Sequence, residues 1–263
     1  MLMEDEFKRF LATAEPDSTE FFTSGIDELS GVLEQIETRI YTFCWSNRIL
    51  LEQNGNSRIR FECLSPSDRD YLAFLRDMPD FVQVDDVERR MPSPPRNDAS
   101  VAAVLHIGDD LLLFGADLEV NGAGSGWEAV HSLAWNDRGR ACFFKIPHHG
   151  SPTGHYLPVW TEMLATDVVA ALTPWNRGLK LPSPHDIDRI TSLTSRAHSA
   201  AKVRKARAHR RSSTVEGMLR DNKIRINIAT EEIGHLRLRK LANADWRVEY
   251  GGDSALLDHG ILT

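Results

Sequence analysis

Histidine is missing from the first 105 residues; all ten histidines lie at or after His106. Any site built on imidazole chemistry must therefore be drawn from the rest of the chain. Cysteine is scarce, with Cys44, Cys63 and Cys142 forming an odd and scattered set. That excludes a disulfide framework and a thiolate metal site, and reads as small buried hydrophobes in a reducing, cytoplasmic setting. No apolar run approaches the about 18 residues of a membrane span. The opening MLMEDEFKRF is acidic and has no apolar segment, so it does not read as a signal peptide. No internal repeat is visible.

What remains is ordinary for a globular chain of 263 residues, with 41% hydrophobic and 26% charged residues. That suits one large domain or two small ones. The net charge of -7 is unevenly spread. Residues 1–90 carry 19 Asp and Glu against 10 Lys and Arg, and residues 91–263 carry 19 against 21. Helices are expected over 1–14, 24–38 and 68–77, and extended pieces over 40–45 and 58–64. In 58–64, Ile59, Phe61 and Cys63 alternate with charged residues, the pattern of a half-buried strand. Pro-rich 91–95 reads as a linker, which divides the chain into an acidic part, 1–96, and a strand-richer part, 97–263. In the second part 101–107 and 111–115 read as a hairpin across Gly108-Asp109-Asp110. A Gly-rich loop precedes a helix from about Trp127, 141–146 and 167–173 read as buried strands, and 186–198 as a helix. Three terminal strands are expected over 225–228, 235–239 and 246–250. Strands interleaved with helices indicate an α/β or α+β layered fold.

Three strand ends carry the chemistry. Asp117 follows LLLFGA, the turn Pro147-His148-His149-Gly150-Ser151 follows CFFKI, and the strand ending at Thr173 leads to a loop holding His185. Layered α/β proteins place ligands at strand ends. A carboxylate and imidazoles delivered there are the donor set of a Zn or Mn site. The small Gly150 and Ser151 would leave room for a substrate phosphate or carbonyl. Each residue alone also has a structural reading: Asp117 as a turn cap, His185-Asp186 as a helix start, His106 as a strand residue packed within its sheet.

The stretches NDASVAAVLHIGDDLLLFGADLE, FFKIPHHGSPTG and LTPWNRGLKLPSPHDI resemble the second half of a metallo-β-lactamase-fold hydrolase, in the branch of the nuclease-like domain of the DNA-uptake protein ComEC. RIRFECLSPS resembles the strand and turn that precede this block there. The resemblance spans roughly residues 55–190 and is most specific over 97–151. It implies an αββα sandwich with Asp117 as metal-bridging carboxylate and His148 as metal ligand, His149 being the alternative. His149, His185 and Ser151 would serve catalysis. Asn97, Asp98 and Ser100 stand where many such enzymes have a further histidine. The principal signature of the family, His-x-His-x-Asp-His, is absent, since no histidine precedes His106. The resemblance therefore implies a fold lacking its first strands and main metal loop. Its function would be that of one half of a metal-dependent phosphodiester hydrolase, a split nuclease-like enzyme. A partner polypeptide supplying that half is expected, with self-association as the fallback.

Between Arg189 and Val215 there is no acidic residue, and 195–211 holds Arg196, Lys202, Arg204, Lys205, Arg207, Arg210 and Arg211. Such a density can neutralise several phosphates without sequence preference. The segment lacks aromatic residues, so base stacking is not part of that expectation. The competing expectation is a degenerate, non-catalytic lactamase-fold module that binds nucleic acid or a protein partner.

Overall fold

A computed structural model describes residues 44–55, 58–77, 97, 99–135, 137–176, 178–203, 213–222, 234–241 and 244–262. The helices expected over 1–14 and 24–38, the linker 91–95 and the strand 225–228 lie outside these residues, as do Asp98, Arg204, Lys205, Arg207, Arg210 and Arg211.

The strands are β1 (Ile49–Gln53), β2 (Ile59–Cys63), β3 (Ala103–Ile107), β4 (Asp110–Phe114), β5 (Ala141–Lys145), β6 (Leu164–Leu172), β7 (Ala197–Ser199), β8 (His235–Arg239), β9 (Arg247–Gly251) and β10 (Ala255–Leu256). Helices α1 (Asp68–Asp77), α2 (Gly126–Ala129, widening into a π-turn over Val130–Ala134), α3 (Pro184–Thr191) and α4 (Ser213–Asp221) complete the list of longer elements. One eight-stranded sheet has the order β1-β2-β3-β4-β5-β6-β7-β10, and β8-β9 form a separate ribbon. Strands β1 to β4 pair antiparallel, β4 to β7 parallel, and β10 returns antiparallel to β7. The chain is thus mixed α/β. Residues on both sides of the 96/97 division share one sheet, because β2 pairs with β3 along its whole length. Among the described residues no helix is long and apolar enough to cross a membrane.

Strand alternation sorts the side chains onto two faces. Leu113, Phe144 and Ala170 enter the main core beneath Trp127, Val130, Met163, Ile187 and Ile190. Trp127 is wholly buried, donates its indole N–H to Leu118 O at 2.9 Å and meets Phe144 edge-on at 6.1 Å. Such a ring pair adds about 0.5–1.5 kcal/mol beyond the area it buries. On the other face Phe143, Val169 and Ala171 lie under Leu236, Leu238 and Trp246 of the ribbon and its approach.

Two expectations are corrected. Of the strand expected over 40–45, residues 40–43 lie outside the described residues, Cys44 and Trp45 are not in a strand, and β1 begins at Ile49. The helix expected over 186–198 stops at Thr191. Thr194 Oγ1 donates to Val168 O at 2.9 Å and Ala170 N to Arg196 O at 3.0 Å, drawing the following residues into the sheet as β7. On the charged side of β2, Arg60 is half-buried and Glu62 is 1% exposed.

Candidate functional site

Parallel pairing of β4, β5 and β6 brings their C-terminal ends to one edge of the sheet. Beyond β4 the chain turns through Gly115. A Cβ there would lie 2.8 Å from Lys145 O and 2.9 Å from Pro147 Cβ, so only glycine allows the two turns to approach so closely. Gly115 N donates to Lys145 O at 3.0 Å, and His148 N to Ala116 O at 3.0 Å. These bonds lock the Asp117 turn to the His148-His149 turn. Both histidines are left-handed, with φ of 44° and 56°. Backbone of this kind costs of order 1–3 kcal/mol per residue and persists where surrounding contacts enforce it.

The His149 ring donates through Nδ1 to Thr173 O at 2.7 Å, at the end of β6. In the neutral ring this leaves the lone pair on Nε2, and Nε2 lies 3.9 Å from Asp117 Oδ1. The Trp175 ring packs on His149 with centroids 5.3 Å apart. His148 faces elsewhere. Its Nδ1 is 2.7 Å from Glu119 Oε1 and 3.0 Å from Thr153 Oγ1, and its Nε2 is 3.4 Å from Asn97 Nδ2. Thr153 Oγ1 in turn donates to Glu119 Oε1 at 2.6 Å. The structure thus pairs Asp117 with His149, and Glu119 with His148.

Ser151 is 7% exposed, and its Oγ accepts from Thr153 N at 3.3 Å, a cap for the short turn that follows. His185 is exposed in the first turn of α3, and its ring makes no hydrogen bond or ion pair with the described residues. A Ser183/Asp186 capping box starts that helix, with Asp186 Oδ2 accepting from Ser183 N at 2.9 Å. Helix α3 is tied to the histidine turn because Arg189 Nη2 donates to Gly150 O at 2.7 Å. Lys145 ends β5 beneath this edge. Burial holds its ammonium below the usual lysine range, and the Asp117 carboxylate pulls the other way.

Sequence reading missed Glu119, Thr153 and Trp175. The available signals were weak: Glu119 lies two residues beyond Asp117, and Thr153 two beyond Ser151. Of the basic segment, Arg196 is engaged by Asp245 at 2.7 Å and by Asp167 at 3.8 Å, and Lys202 is half-buried with its carbonyl accepting from Asn176 at 3.0 Å.

A zinc site uses three or four protein donors at about 2.0–2.3 Å. Among the described residues no group of three or more His, Cys, Asp or Glu side chains is arranged to hold a metal. The Asp117–His149 gap of 3.9 Å is wider than the about 3.4 Å between two donors of a tetrahedral site with such bonds, and a carbonyl on Nδ1 is the usual second partner of a ligating imidazole. Compared with protein-family models, curated proteins and solved structures, the chain has no match in any of the three.

Removing the left-handed imidazole separates site from scaffold. His149→Gly relieves the backbone strain and loses one hydrogen bond and the Trp175 contact. The expected change in stability is small, within about 1 kcal/mol, because these terms oppose one another. Denaturant titration of both proteins measures it.

Proposed function

We propose that this chain is one half of a metal-dependent hydrolase of the metallo-β-lactamase fold, acting on phosphodiester bonds once a partner polypeptide supplies the His-x-His-x-Asp-His loop. The observation that carries the reading is the Asp117–His149 pair, an acceptor lone pair and a carboxylate oxygen 3.9 Å apart at the ends of parallel strands. Zn or Mn bound there would act as a Lewis acid and activate water. The chain's own residues would orient that centre. Thr173 O fixes the His149 ring, and Glu119 and Asn97 hold His148 from either side. His185, exposed in the first turn of α3, would meet the substrate.

The need for a partner is supported by the sheet itself. Leu51, Phe61, Leu105, Leu112, Phe143 and Val169 are register neighbours across β1, β2, β3, β4, β5 and β6, one apolar row on the ribbon face. The ribbon covers its β5–β6 end, where Val169 is fully buried, and Leu51 at the other end is 52% exposed. Among the described residues the second sheet is the two-stranded ribbon alone, and open apolar faces and edges associate.

The test mixes the full chain with a polypeptide carrying the missing loop, then follows Zn and Mn binding by calorimetry and hydrolysis of a generic phosphodiester. The chain alone is expected to bind either ion weakly and to hydrolyse nothing, and the mixture to bind tightly and to hydrolyse. Asp117→Asn and His149→Gln in the mixture should each abolish both. Tight one-to-one Zn binding by the chain alone would overturn the proposal. So would a stable monomer that sediments unchanged in the presence of the partner.

A further inference from the structure

At the opposite end of the sheet the strands build a cavity of about 180 Å³, lined by Arg58, Arg60, His106, Gly108 and Arg138. Arg60 and His106 are direct register partners on β2 and β3, so their side chains share one face. Arg138 arrives from the loop before β5, and Arg58 from the residue before β2. From His106 and its register partner Leu111 to Asp117 is six residues along β4 and its turn, roughly 20 Å of extended chain. This cavity is separate from the site at the strand ends.

Its lining is cationic. The carboxylates paired with its arginines are Glu62, held by Arg138 and by Arg60 at 2.8 Å, and Glu52, 2.8 Å from Arg58. Three guanidinium groups thus share these two carboxylates. Arg58 engages Glu52 through Nη2 and is itself largely exposed, which leaves the rest of its fork turned outward. The decisive observation is His106. Its ring lines the cavity, and its Nε2 is buried with no hydrogen-bond partner among the described residues. A buried ring nitrogen left unpaired costs about 1–3 kcal/mol, a cost that a bound group reaching it would remove. Burial, together with the facing Arg138, holds this imidazole below its usual range; Arg60 and Arg58 add to the effect, and Glu62 opposes it. A neutral ring can donate there without adding charge.

We propose that this cavity is a binding site for a phosphoryl group or a like tetrahedral oxyanion, held between Arg58, Arg60, Arg138 and His106. Donors converge on it from β2, from β3 and from the loop before β5. That geometry suits an anion with three or four acceptor oxygens better than a planar carboxylate, which one guanidinium fork satisfies by itself. The volume is below the about 300–1,000 Å³ of pockets for drug-sized ligands, so it admits one such group and little more. The site does not depend on the function proposed above.

Isothermal titration of the full chain at low ionic strength, with inorganic phosphate and with acetate, tests it. Phosphate is expected to bind saturably, one per chain, and acetate at least about tenfold more weakly. Arg58→Gln, an exposed change that leaves Glu62 paired, should weaken phosphate about tenfold. His106→Phe keeps the ring shape, removes the orphan nitrogen and should weaken phosphate similarly. Unchanged thermal midpoints would certify that both variants fold. Tighter binding of a 5′-phosphorylated oligonucleotide than of inorganic phosphate, with none for the unphosphorylated strand, would identify a nucleic-acid terminus as the source. Equal or weaker binding would identify free phosphate. Absence of saturable phosphate binding by the wild type, acetate binding as tightly as phosphate, or affinity unmoved in both variants would overturn the proposal.

Discussion

Arg138→Met is expected to lower the stability of this protein by about 3–5 kcal/mol at neutral pH, the cost of leaving a buried carboxylate without its main partner. Glu62 is 1% exposed and receives Arg138 on both oxygens, with Arg60 Nε at 3.0 Å on one of them. Burial alone pushes the Glu62 carboxyl up, but Arg138 and Arg60 together bring it below the ordinary glutamate value. A carboxyl depressed in the folded state stabilises above its unfolded pKa, and that contribution is lost as pH falls through the folded one. Without Arg138 burial prevails, the carboxyl rises, and protonation then relieves the variant. The gap between wild type and variant is therefore expected to be widest at neutral pH and to narrow in acid below about 4.5. Chemical denaturation at both pH values measures it. The double variant Glu62→Met/Arg138→Met should recover most of the loss, since it removes the unpaired charge and refills the space. Equal losses in the single and double variants would show that packing, not charge, holds this corner.

The second large effect is expected at Gly126, where the chain leaves the Gly-rich loop for α2. Its φ is +53°, and a Cβ there would collide with Glu119 O and lie 3.2 Å from Asn121 N, both backbone atoms. Gly126→Ala therefore adds a collision to the usual cost of a left-handed alanine. We expect about 2–5 kcal/mol in total, from about 1–2 for the backbone and about 1–3 for forced displacement. Gly122 is the control. It too has positive φ, +87°, but nothing lies within 4 Å of where an alanine methyl would sit, so Gly122→Ala should show the backbone cost alone. A shift in denaturant midpoint at unchanged slope reads both. The Gly126 variant reaches the candidate site as well. Glu119 O accepts from Trp127 N at 3.1 Å, and the Glu119 carboxylate meets His148. Displacing this loop should release His148, seen as a shift of its imidazole resonances. No such shift is expected in the Gly122 variant.

Those two corners also mark where reading from sequence stopped. The β3–β4 hairpin, the helix Asp68–Asp77 and the strands Ala141–Lys145 and His235–Arg239 follow from local patterns, alternation, breakers and caps. So does the delivery of Asp117 and the His148-His149 pair to strand ends, because parallel strands linked by helical turns must end at one edge. The sequence by itself determined the layered α/β class and those positions.

Which carboxylate meets which histidine was decided only by tertiary structure. It turned on the left-handed backbone at two consecutive histidines, a conformation that histidine at those positions does not announce. The same holds for the burial of Glu62. Its strand reads as apolar on one side and charged on the other, and the charged side is closed by an arginine 76 residues away. Alternation reports that two faces differ. It cannot report that a distant loop will cover the polar one, because an ion pair between residues so far apart leaves no period in the sequence. Nor could alternation anticipate the cavity around His106, whose lining comes from two strands and a distant loop and is assembled only when the sheet has formed.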